Sequence, residues 1–351
     1  MTRQDCEVYV YDLEGCLNEI DDPLESAVIY SYRSDNPEHV LVMTGQLIGV
    51  ATFGLSTFGF PSKISLQNGS QFRLLRHGRF VLIVGEISHP DDDSEMRVTD
   101  LMEEILDRLR FFRGARFDEW FNENPYQFKR RITRFLNAVL CNASSYCHPE
   151  RGFFKDDLDF SDLEVIETSS FILTQCVGAY DGVLCGALVR ENKVLYQNFP
   201  RKFFMKLHVL LNEKDKSLES SFCKVYDEAS DRLPIGLDVF SLFINPIEAK
   251  ELHFAHNHFV SKSLSQKKTT MEEVSDAIRS HNFSRVTDGN ASQKTNIFVL
   301  LIIKVDLLRL LLVMEMKSDK AQNMENIKKI WSIGFTKLPK LIDLSGSSDF
   351  P

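Results

Sequence analysis

One stretch of this chain, His39 to Ser62, contains no Lys, Arg, Asp or Glu, although charged residues make up 26% of the sequence. The stretch predicts a helix from Pro37 to Phe53, because Pro is favoured at the first helical position and Gly54 follows the predicted end. At 100° per residue, one helix face carries Val40, Met43, Leu47, Val50 and Ala51, and we expect this face to pack on the sheet of its own domain. The other face carries Leu41, Val42, Ile48 and Phe53, with Gly45 and Gly49 between the two faces. A helix that is apolar all round must be covered on both sides.

The predicted sheet of the same domain covers one side of this helix. The other side could be covered by a membrane, by a further layer of this chain or by a second protein. A membrane span fits poorly, because about 16 residues precede Gly54 and a span needs about 20. The other covers are a further layer of this chain, which makes a plain core helix, or a second protein. The glycines favour a second protein, since each costs about 1 kcal/mol relative to Ala unless a backbone approaches closely. The residues predicted to face that partner are Leu41, Val42, Gly45, Ile48, Gly49 and Thr52.

In the rest of residues 1-145, the pattern of apolar and polar residues predicts a sheet with helices on its faces. The predicted strands are Glu7 to Asp12, Ala27 to Tyr32, Lys63 to Gln67, Gln71 to Arg76 and Arg79 to Ile87. Asn68-Gly69 predicts a type I′ hairpin turn, in which both residues have positive φ, and His77-Gly78 predicts a second tight turn. Two helices follow, Glu95 to Phe112 and Asn124 to about Cys141. The order β-β-α-β-β-β-α-α therefore defines a first domain.

Residues 146-260 predict a second α/β unit. Its predicted elements are a helix from Leu163 to Tyr180, strands at Val183 to Val189, Val194 to Phe199 and Asp238 to Ile244, a helix from Pro200 to Leu211, and an extended segment from Glu248 to Phe254. Residues 261-295 are polar and predict a linker with a helix at Met271 to Ser280.

Residues 296-351 predict a partial third unit. Its elements are a hairpin, Ile297 to Val305 with Leu308 to Met316, and a helix from Asp319 to Trp331. Two strands and a helix cannot close a core alone. We therefore expect this unit to dock on the rest, to pair with a partner, or to be truncated.

Composition narrows the classes of function. The net charge is −9 and no domain is basic, which excludes a nucleic-acid partner. Residues 1–7 contain no apolar run, so we expect no signal peptide. The seven cysteines include no CxxC pair, which favours reduced thiols in the cytosol over a disulfide framework.

Catalytic and metal-binding patterns are weak. The sequence holds no phosphate-binding glycine loop, HExxH or GxSxG motif. His253, His256 and His258 lie on a segment predicted to be extended and do not converge on one face, and Cys147-His148 is an isolated pair, so we expect no metal, cofactor or catalytic residue. Lys129, Arg130, Arg131 and Arg134 form a basic patch on one predicted helix. That patch is either a solvated face or a contact with acidic lipid head groups or an acidic partner.

The element order of residues 1-145 resembles a longin domain. The strings VYVYD, IYSY and TGQLIGV, at positions 8–12, 29–32 and 44–50, are similar to the first longin domain of the Hermansky–Pudlak syndrome type 4 protein family. Phe171 to Pro200 and Leu237 to Phe254 resemble the second longin domain of that family, and Asn296 to Trp331 resembles the start of a third. A related family of longin-containing exchange-factor subunits is the second candidate. The resemblance implies an α+β sandwich of tandem longin domains, each a mostly antiparallel five-stranded sheet flanked by helices.

The resemblance also implies a function. Members of the family pair with the Hermansky–Pudlak syndrome type 1 protein to form the biogenesis of lysosome-related organelles complex 3, a guanine nucleotide exchange factor for Rab-family GTPases. The first longin domains dimerise and form the GTPase-binding surface, without a catalytic acid, base or nucleophile. The implied location is cytoplasmic, with peripheral recruitment to endosomal, lysosomal or lysosome-related organelle membranes.

Two other functions stay open. One is a longin-type scaffold or adaptor in endolysosomal trafficking without exchange activity, and the other is an unrelated cytosolic enzyme. The chain also departs from the family pattern, because human-type members carry a long acidic linker where this chain has only 261-295. The predicted third unit stops at Pro351 after two strands and a helix, which suggests a truncated form and puts its role in assembly in doubt.

Overall fold

The computed structural model shows an α+β protein that divides into two compact units, each built on one five-stranded antiparallel sheet flanked by helices. This confirms the predicted fold class at the level of architecture. The described residues are 6–15, 27–32, 36–86, 94–114, 121–122, 124–146, 163–191, 193–207, 225, 233–266, 297–317 and 319–346. Those of the first unit lie between 6 and 146, and those of the second between 163 and 346.

The first unit follows the predicted element order. Its elements are β1 (Cys6–Asp12), β2 (Val28–Tyr32), α1 (Pro37–Thr57), β3 (Lys63–Ser65), β4 (Gln71–His77), β5 (Phe80–Glu86), α2 (Ser94–Arg113) and α3 (Pro125–Tyr146). The sheet order is β2-β1-β5-β4-β3. Helix α1 shares a core with one face of this sheet, while α2 packs on β4 and β5 and α3 packs on β2. The sheet is therefore enclosed by one long helix and a pair of helices.

Helix α1 is longer than the sequence predicts. It begins where the Asn36 side chain accepts hydrogen bonds from the amides of Glu38 and His39, which satisfies two donors of the first turn. It continues through Gly54 and ends at Thr57, where the amide of Phe58 donates to the Gly54 carbonyl at 2.7 Å. The left-handed Gly59 (φ +96°) follows and turns the chain. Gly54 therefore lies inside the helix, and the predicted end at Phe53 is wrong by about one turn.

The Asn68-Gly69 turn is not the predicted type I′ turn. The Leu66 amide donates to the Ser70 carbonyl at 2.9 Å, which leaves a three-residue loop between them. Of the loop residues only Gly69 has positive φ, at +88°, whereas a type I′ turn needs two such residues. The Asn68 side chain instead accepts a hydrogen bond from the Ser70 amide at 3.0 Å. The second predicted turn is tight, because His77 pairs directly with Phe80 and Gly78 has φ +59°.

The second unit contains α4 (Leu163–Ala179), β6 (Val183–Arg190), β7 (Lys193–Gln197), α5 (Arg201–Leu207), β8 (Leu237–Leu242), α6 (Pro246–Gln266), β9 (Ile297–Val305), β10 (Leu308–Met316), α7 (Lys320–Lys337) and α8 (Pro339–Gly346). The sheet order is β7-β6-β10-β9-β8. Helices α4, α7 and α8 share a core with one face of this sheet. On the other face the Leu252 carbonyl of α6 lies 3.7 Å from the buried Cys185 Sγ of β6. Both faces of the second sheet are therefore covered.

The predicted partial third domain, 296-351, is wrong as a separate unit. Strands β9 and β10 form the predicted hairpin with the predicted bounds, but they occupy the middle of the second sheet. Strand β10 pairs with β6 and β9, and β9 pairs with β8. Their side chains are almost continuously buried, as expected for central strands covered on both faces. These residues therefore complete the domain that the sequence assigned to 146-260.

Helix α6 corrects a second prediction. The segment Glu248 to Phe254, predicted to be extended, is helical because the Asn245 side chain accepts from the amides of Ile247 and Glu248 at 2.9 Å each. Pro246 stands at the first helical position, where a proline is well tolerated. The helix reaches Gln266, inside the predicted linker 261-295. The helix predicted at 271–280 lies outside the described residues.

Candidate interaction surface on helix α1

The inner face of α1 is part of the first core. Val40, Leu47, Ile48 and Ala51 are buried, and they belong to one apolar cluster with Tyr9, Phe72, Leu74, Val81 and Ile83. Thr44 is also fully buried on this face, and its hydroxyl donates to the Val40 carbonyl at 2.6 Å. The polar group is therefore satisfied within the helix, and its methyl group can pack on the sheet.

The outer face of α1 is apolar and exposed. The exposed fractions are 59% for Val42, 54% for Val50 and 73% for Phe53. At helical spacing Val42, Gly49 and Phe53 stand nearly in line, with Val50 beside them. A Cβ atom built on Gly49 would meet no atom within 4 Å, so the backbone there is open to an approaching molecule. We call Val42, Gly49, Val50 and Phe53 the outer stripe.

The outer stripe agrees only in part with the predicted partner face. Of the six predicted residues, Val42, Gly49 and Thr52 are exposed, and Leu41 and Gly45 are half-buried. Ile48 was wrongly assigned to this face, because it is buried against the sheet. Val50 was wrongly assigned to the sheet side. The buried face of the helix contains Val40, Thr44, Leu47, Ile48 and Ala51, and the exposed Phe53 is absent from the predicted set.

Helix α1 is long and apolar enough to cross a membrane by length and composition, and it is the one such helix in the described ranges. Its window Glu38–Leu55 has a mean hydropathy of 1.2. The expectation that the helix is too short for a span is therefore wrong. Its inner face nevertheless lies in the first core, so leaving the domain would expose Leu47 and Ala51.

The basic patch lies on α3. Lys129 and Arg130 are exposed, whereas Arg131 and Arg134 are half-buried. The opposite face of α3 is buried through Phe128, Ile132, Phe135, Leu136 and Val139. The exposed part of the patch is therefore two cations on the outer side of an amphipathic helix.

The three histidines of α6 point to different partners. His253 Nε2 lies 3.2 Å from Glu315 Oε2, and this hydrogen bond raises the pKa of His253 above its ordinary value. His256 Nδ1 lies 3.2 Å from the Leu184 carbonyl, and burial lowers the pKa of His256. His258 is exposed. Within the described segments, no group of three His, Cys, Asp or Glu side chains could hold a metal ion.

The buried cysteines of the second unit are poor nucleophiles. Burial raises the pKa of Cys176 and of Cys185 to about 12. Both thiols are therefore protonated near neutral pH, and the thiolate is the reactive form. The Cys147-His148 pair lies outside the described residues.

Comparison with known proteins assigns no family. The sequence matches no family model, and no curated protein matches it. Function must therefore be inferred from the geometry of the two units and from the sequence patterns.

Proposed function

We propose that this chain is one subunit of a heterodimeric guanine nucleotide exchange factor for Rab-family GTPases. Its partner is a second longin-domain protein similar to the Hermansky–Pudlak syndrome type 1 subunit, and the complex acts in the biogenesis of lysosome-related organelles. The chain works through its surfaces and needs no cofactor. The observation that carries the proposal is the exposed, uncharged outer stripe of α1 on a complete sheet domain.

The strand order supports assigning both units to the longin class. The first sheet has the order β2-β1-β5-β4-β3, with one helix between its second and third strands and two helices after its fifth. The second sheet repeats this order with its own five strands. The resemblance of the strings at positions 8–12, 29–32 and 44–50 to the Hermansky–Pudlak syndrome type 4 family points to the same class.

A protein partner suits the outer stripe better than a lipid bilayer does. Fully burying a Val or Phe side chain contributes about 1.5–3 kcal/mol, so covering Val42, Val50 and Phe53 yields a substantial driving force. Gly49 lets another backbone come close beside these side chains. A span would instead require the inner face of α1 to leave its core, which would forfeit the burial of Leu47 and Ala51.

Nucleotide exchange of this kind requires no catalytic acid or base. In a GTPase, the nucleotide phosphates and Mg²⁺ hold the switch loops in an ordered state. A protein surface that binds the open loops more tightly than the closed ones shifts the equilibrium toward nucleotide release. The first unit and its partner together form that surface.

The complex is cytoplasmic and is recruited peripherally to endosomal, lysosomal or lysosome-related organelle membranes. Lys129 and Arg130 are the exposed groups that support an anionic contact on the first unit. Each cation near an anionic membrane surface contributes about 1 kcal/mol. This contact assists recruitment and is too small to anchor the chain alone.

The test is release of labelled GDP from a panel of Rab GTPases by the chain, by its partner and by the two together. We expect acceleration only by the pair. Phe53→Asp should weaken co-purification with the partner by about tenfold or more, since a carboxylate would be buried at the contact. Phe254→Asp is the matched control, because Phe254 is 76% exposed on α6 of the second unit, and it should pair normally.

Three outcomes would contradict the proposal in different ways. Exchange by the chain alone would show that one subunit suffices. A stable pair that releases GDP from no Rab would favour the scaffold or adaptor function. Normal pairing of Phe53→Asp would place the interface elsewhere on the chain.

A further inference from the structure

We propose that His253 and His256 make the docking of α6 on the second sheet depend on pH. The helix is held most tightly at about pH 6.5, where a free imidazole is half-protonated, and it loosens in more acidic and in more alkaline solution. The two histidines act through different contacts, one of which favours a protonated imidazole and the other a neutral one. Helix α6 belongs to the second unit and the outer stripe of α1 to the first, so this pH dependence is independent of the exchange-factor function.

Helix α6 is an added cover on the second sheet. In the first unit a turn joins the third and fourth strands, whereas the second unit has α6 between β8 and β9. The helix packs on β6, its Leu252 is fully buried, and it contributes no strand to the sheet. Its opposite side is exposed at Ile247 and Phe254. Helix α6 can therefore loosen while the five strands stay paired.

Polar contacts on consecutive residues and turns join α6 to the sheet. The Leu252 carbonyl accepts from the Cys185 thiol of β6 at 3.7 Å. His253 Nε2 lies 3.2 Å from Glu315 Oε2 of β10, and His256 Nδ1 lies 3.2 Å from the Leu184 carbonyl of β6. Two of these three contacts are made by imidazoles, the side chains that change charge near neutral pH.

The contact of His253 favours the protonated imidazole. The Glu315 carboxylate accepts its hydrogen bond, and this raises the pKa of His253. A loosened helix would lose that partner, and the pKa of His253 would return to its ordinary value of about 6.5. The stabilisation from this pair is therefore complete below about pH 6.5 and is lost as the pH rises through the raised pKa.

The contact of His256 favours the neutral imidazole. A carbonyl oxygen only accepts, so Nδ1 carries a hydrogen and donates it to Leu184. His256 is half-buried, and this burial lowers its pKa, because a charged imidazole loses hydration there. Its contribution to docking is therefore complete above about pH 6.5 and is lost as the pH falls through the lowered pKa.

Neighbouring charges adjust this balance without reversing it. Asp181, in the turn before β6, attracts a proton to His256, but burial outweighs this attraction. The two histidines stand three residues apart, so a charge on His253 opposes a second charge on His256. The other charged groups of the described neighbouring elements have contacts of their own: Lys206 of α5 pairs with Glu248, and Lys317 lies 5.4 Å from the centre of the Tyr180 ring.

The docked helix therefore prefers one proton on the histidine pair, and His253 carries it. Acidification adds a second proton that the docked state disfavours, and alkalinisation removes the proton that it favours. Each unit by which a pKa differs between the docked and the loosened helix changes the opening equilibrium about tenfold. Opposite shifts on two neighbouring residues thus produce a maximum of docking rather than a single transition.

The test is hydrogen exchange of the full-length chain, followed by mass spectrometry from about pH 5 to pH 8 and corrected for the intrinsic pH dependence of exchange. Peptides from α6 should be most protected at about pH 6.5 and several-fold less protected at either limit. Helix α4 contains no histidine, so it is the internal control and should show no such maximum.

Histidine variants separate the two sides of the maximum. His256→Gln keeps an amide that can donate to the Leu184 carbonyl and should abolish the acidic loss of protection. His253→Gln should abolish the alkaline loss. His258→Gln is the matched control, because His258 is exposed on the same helix, and it should preserve both losses.

An NMR titration of the unaltered chain keeps the proposal testable if a variant disturbs folding. The pKa of His253 should lie above about 6.5 and that of His256 below it. Titration of both on the same side of the ordinary value would overturn the proposal. Protection of α6 that does not change with pH, or that changes equally in wild type and in both variants, would overturn it as well. Pairing with the partner and release of GDP are measured separately, so failure here is distinguishable from failure of the proposed function.

Discussion

The two sheets of this chain share one strand order but are completed in different ways. In the first sheet the third and fourth strands are joined by a short turn, and the third strand has only three residues. In the second sheet the same connection contains α6, and the third strand has six residues. An insertion at this point is tolerated because the entropy cost of a longer loop grows slowly, by about 0.6 kcal/mol for each doubling. Strand β3 therefore pairs with three residues of β4, whereas β8 pairs with six residues of β9.

The helices on the sheets differ in the charge of their outer faces. The outer stripe of α1 lies in a stretch without a charged residue. On α6 the exposed Ile247 and Phe254 alternate with the exposed Lys250 and Glu251. Helix α6 is also tied to α5 by a half-buried ion pair between Lys206 and Glu248. A charged, tethered helix suits a solvated surface, and an uncharged one suits a protein interface.

Removal of residues 296–351 should have the largest effect, and the effect should be confined to the second unit. Deletion takes away β9 and β10, which are two of the three interior strands. The loss should exceed the 5–15 kcal/mol that usually stabilises a domain. Hydrogen exchange should show β6 unprotected and β1 unchanged. Retained protection in β6 would mean that these residues form a separate domain after all.

Shortening a side chain on the inner face of α1 should have the next largest effect on stability. Leu47→Ala should destabilise the first unit by about 2–5 kcal/mol, because it leaves a cavity in the core. Val50→Ala should cost less than about 1 kcal/mol, since Val50 is 54% exposed. Chemical denaturation of both variants gives the comparison. Equal losses would indicate that Val50 packs on the sheet, as the sequence pattern alone suggested.

Gly49→Leu should have the smallest effect on folding. Leucine favours a helix more than glycine does, and the site is open, so stability should rise by up to about 1 kcal/mol. Pairing with the partner should nevertheless fall, because the added side chain has no space at a close helix contact. Gly178→Leu on α4 is the matched control, since a Cβ there also meets no atom within 4 Å. Melting curves and co-purification separate the two effects, and normal pairing of Gly49→Leu would argue against a close contact.

Local pattern was enough to predict most strands but not their long-range partners. The bounds Ile297–Val305 and Leu308–Met316 were predicted correctly, because the apolar runs and the break at Asp306 are local signals. Their insertion between β6 and β8 was not predicted, since pairing between distant segments has no local pattern. The pattern of Glu248 to Phe254 alone does not indicate a helix, and the signal for α6 is the capping pair Asn245-Pro246 that precedes it.

The candidate surfaces depend on features that periodicity cannot resolve. Both faces of α1 are apolar, so the helix could be predicted but not its rotation. The structure places Thr44 and Ile48 on the inner face and Val50 on the outer one, and the Thr44 hydroxyl donates to the Val40 carbonyl. Sequence alone therefore leaves a core helix and a partner-binding helix open for α1, and it does not fix which residues face outward.

The most direct measurement is photo-crosslinking within the complex of the chain and its partner. Benzoylphenylalanine is placed at position 53 in one sample and at position 254 in another, since both native side chains are exposed phenylalanines on long helices. The account predicts a crosslink from position 53 to the partner and none from position 254. A crosslink from position 254 and none from position 53, in an intact complex, would contradict the claim that α1 is the interface.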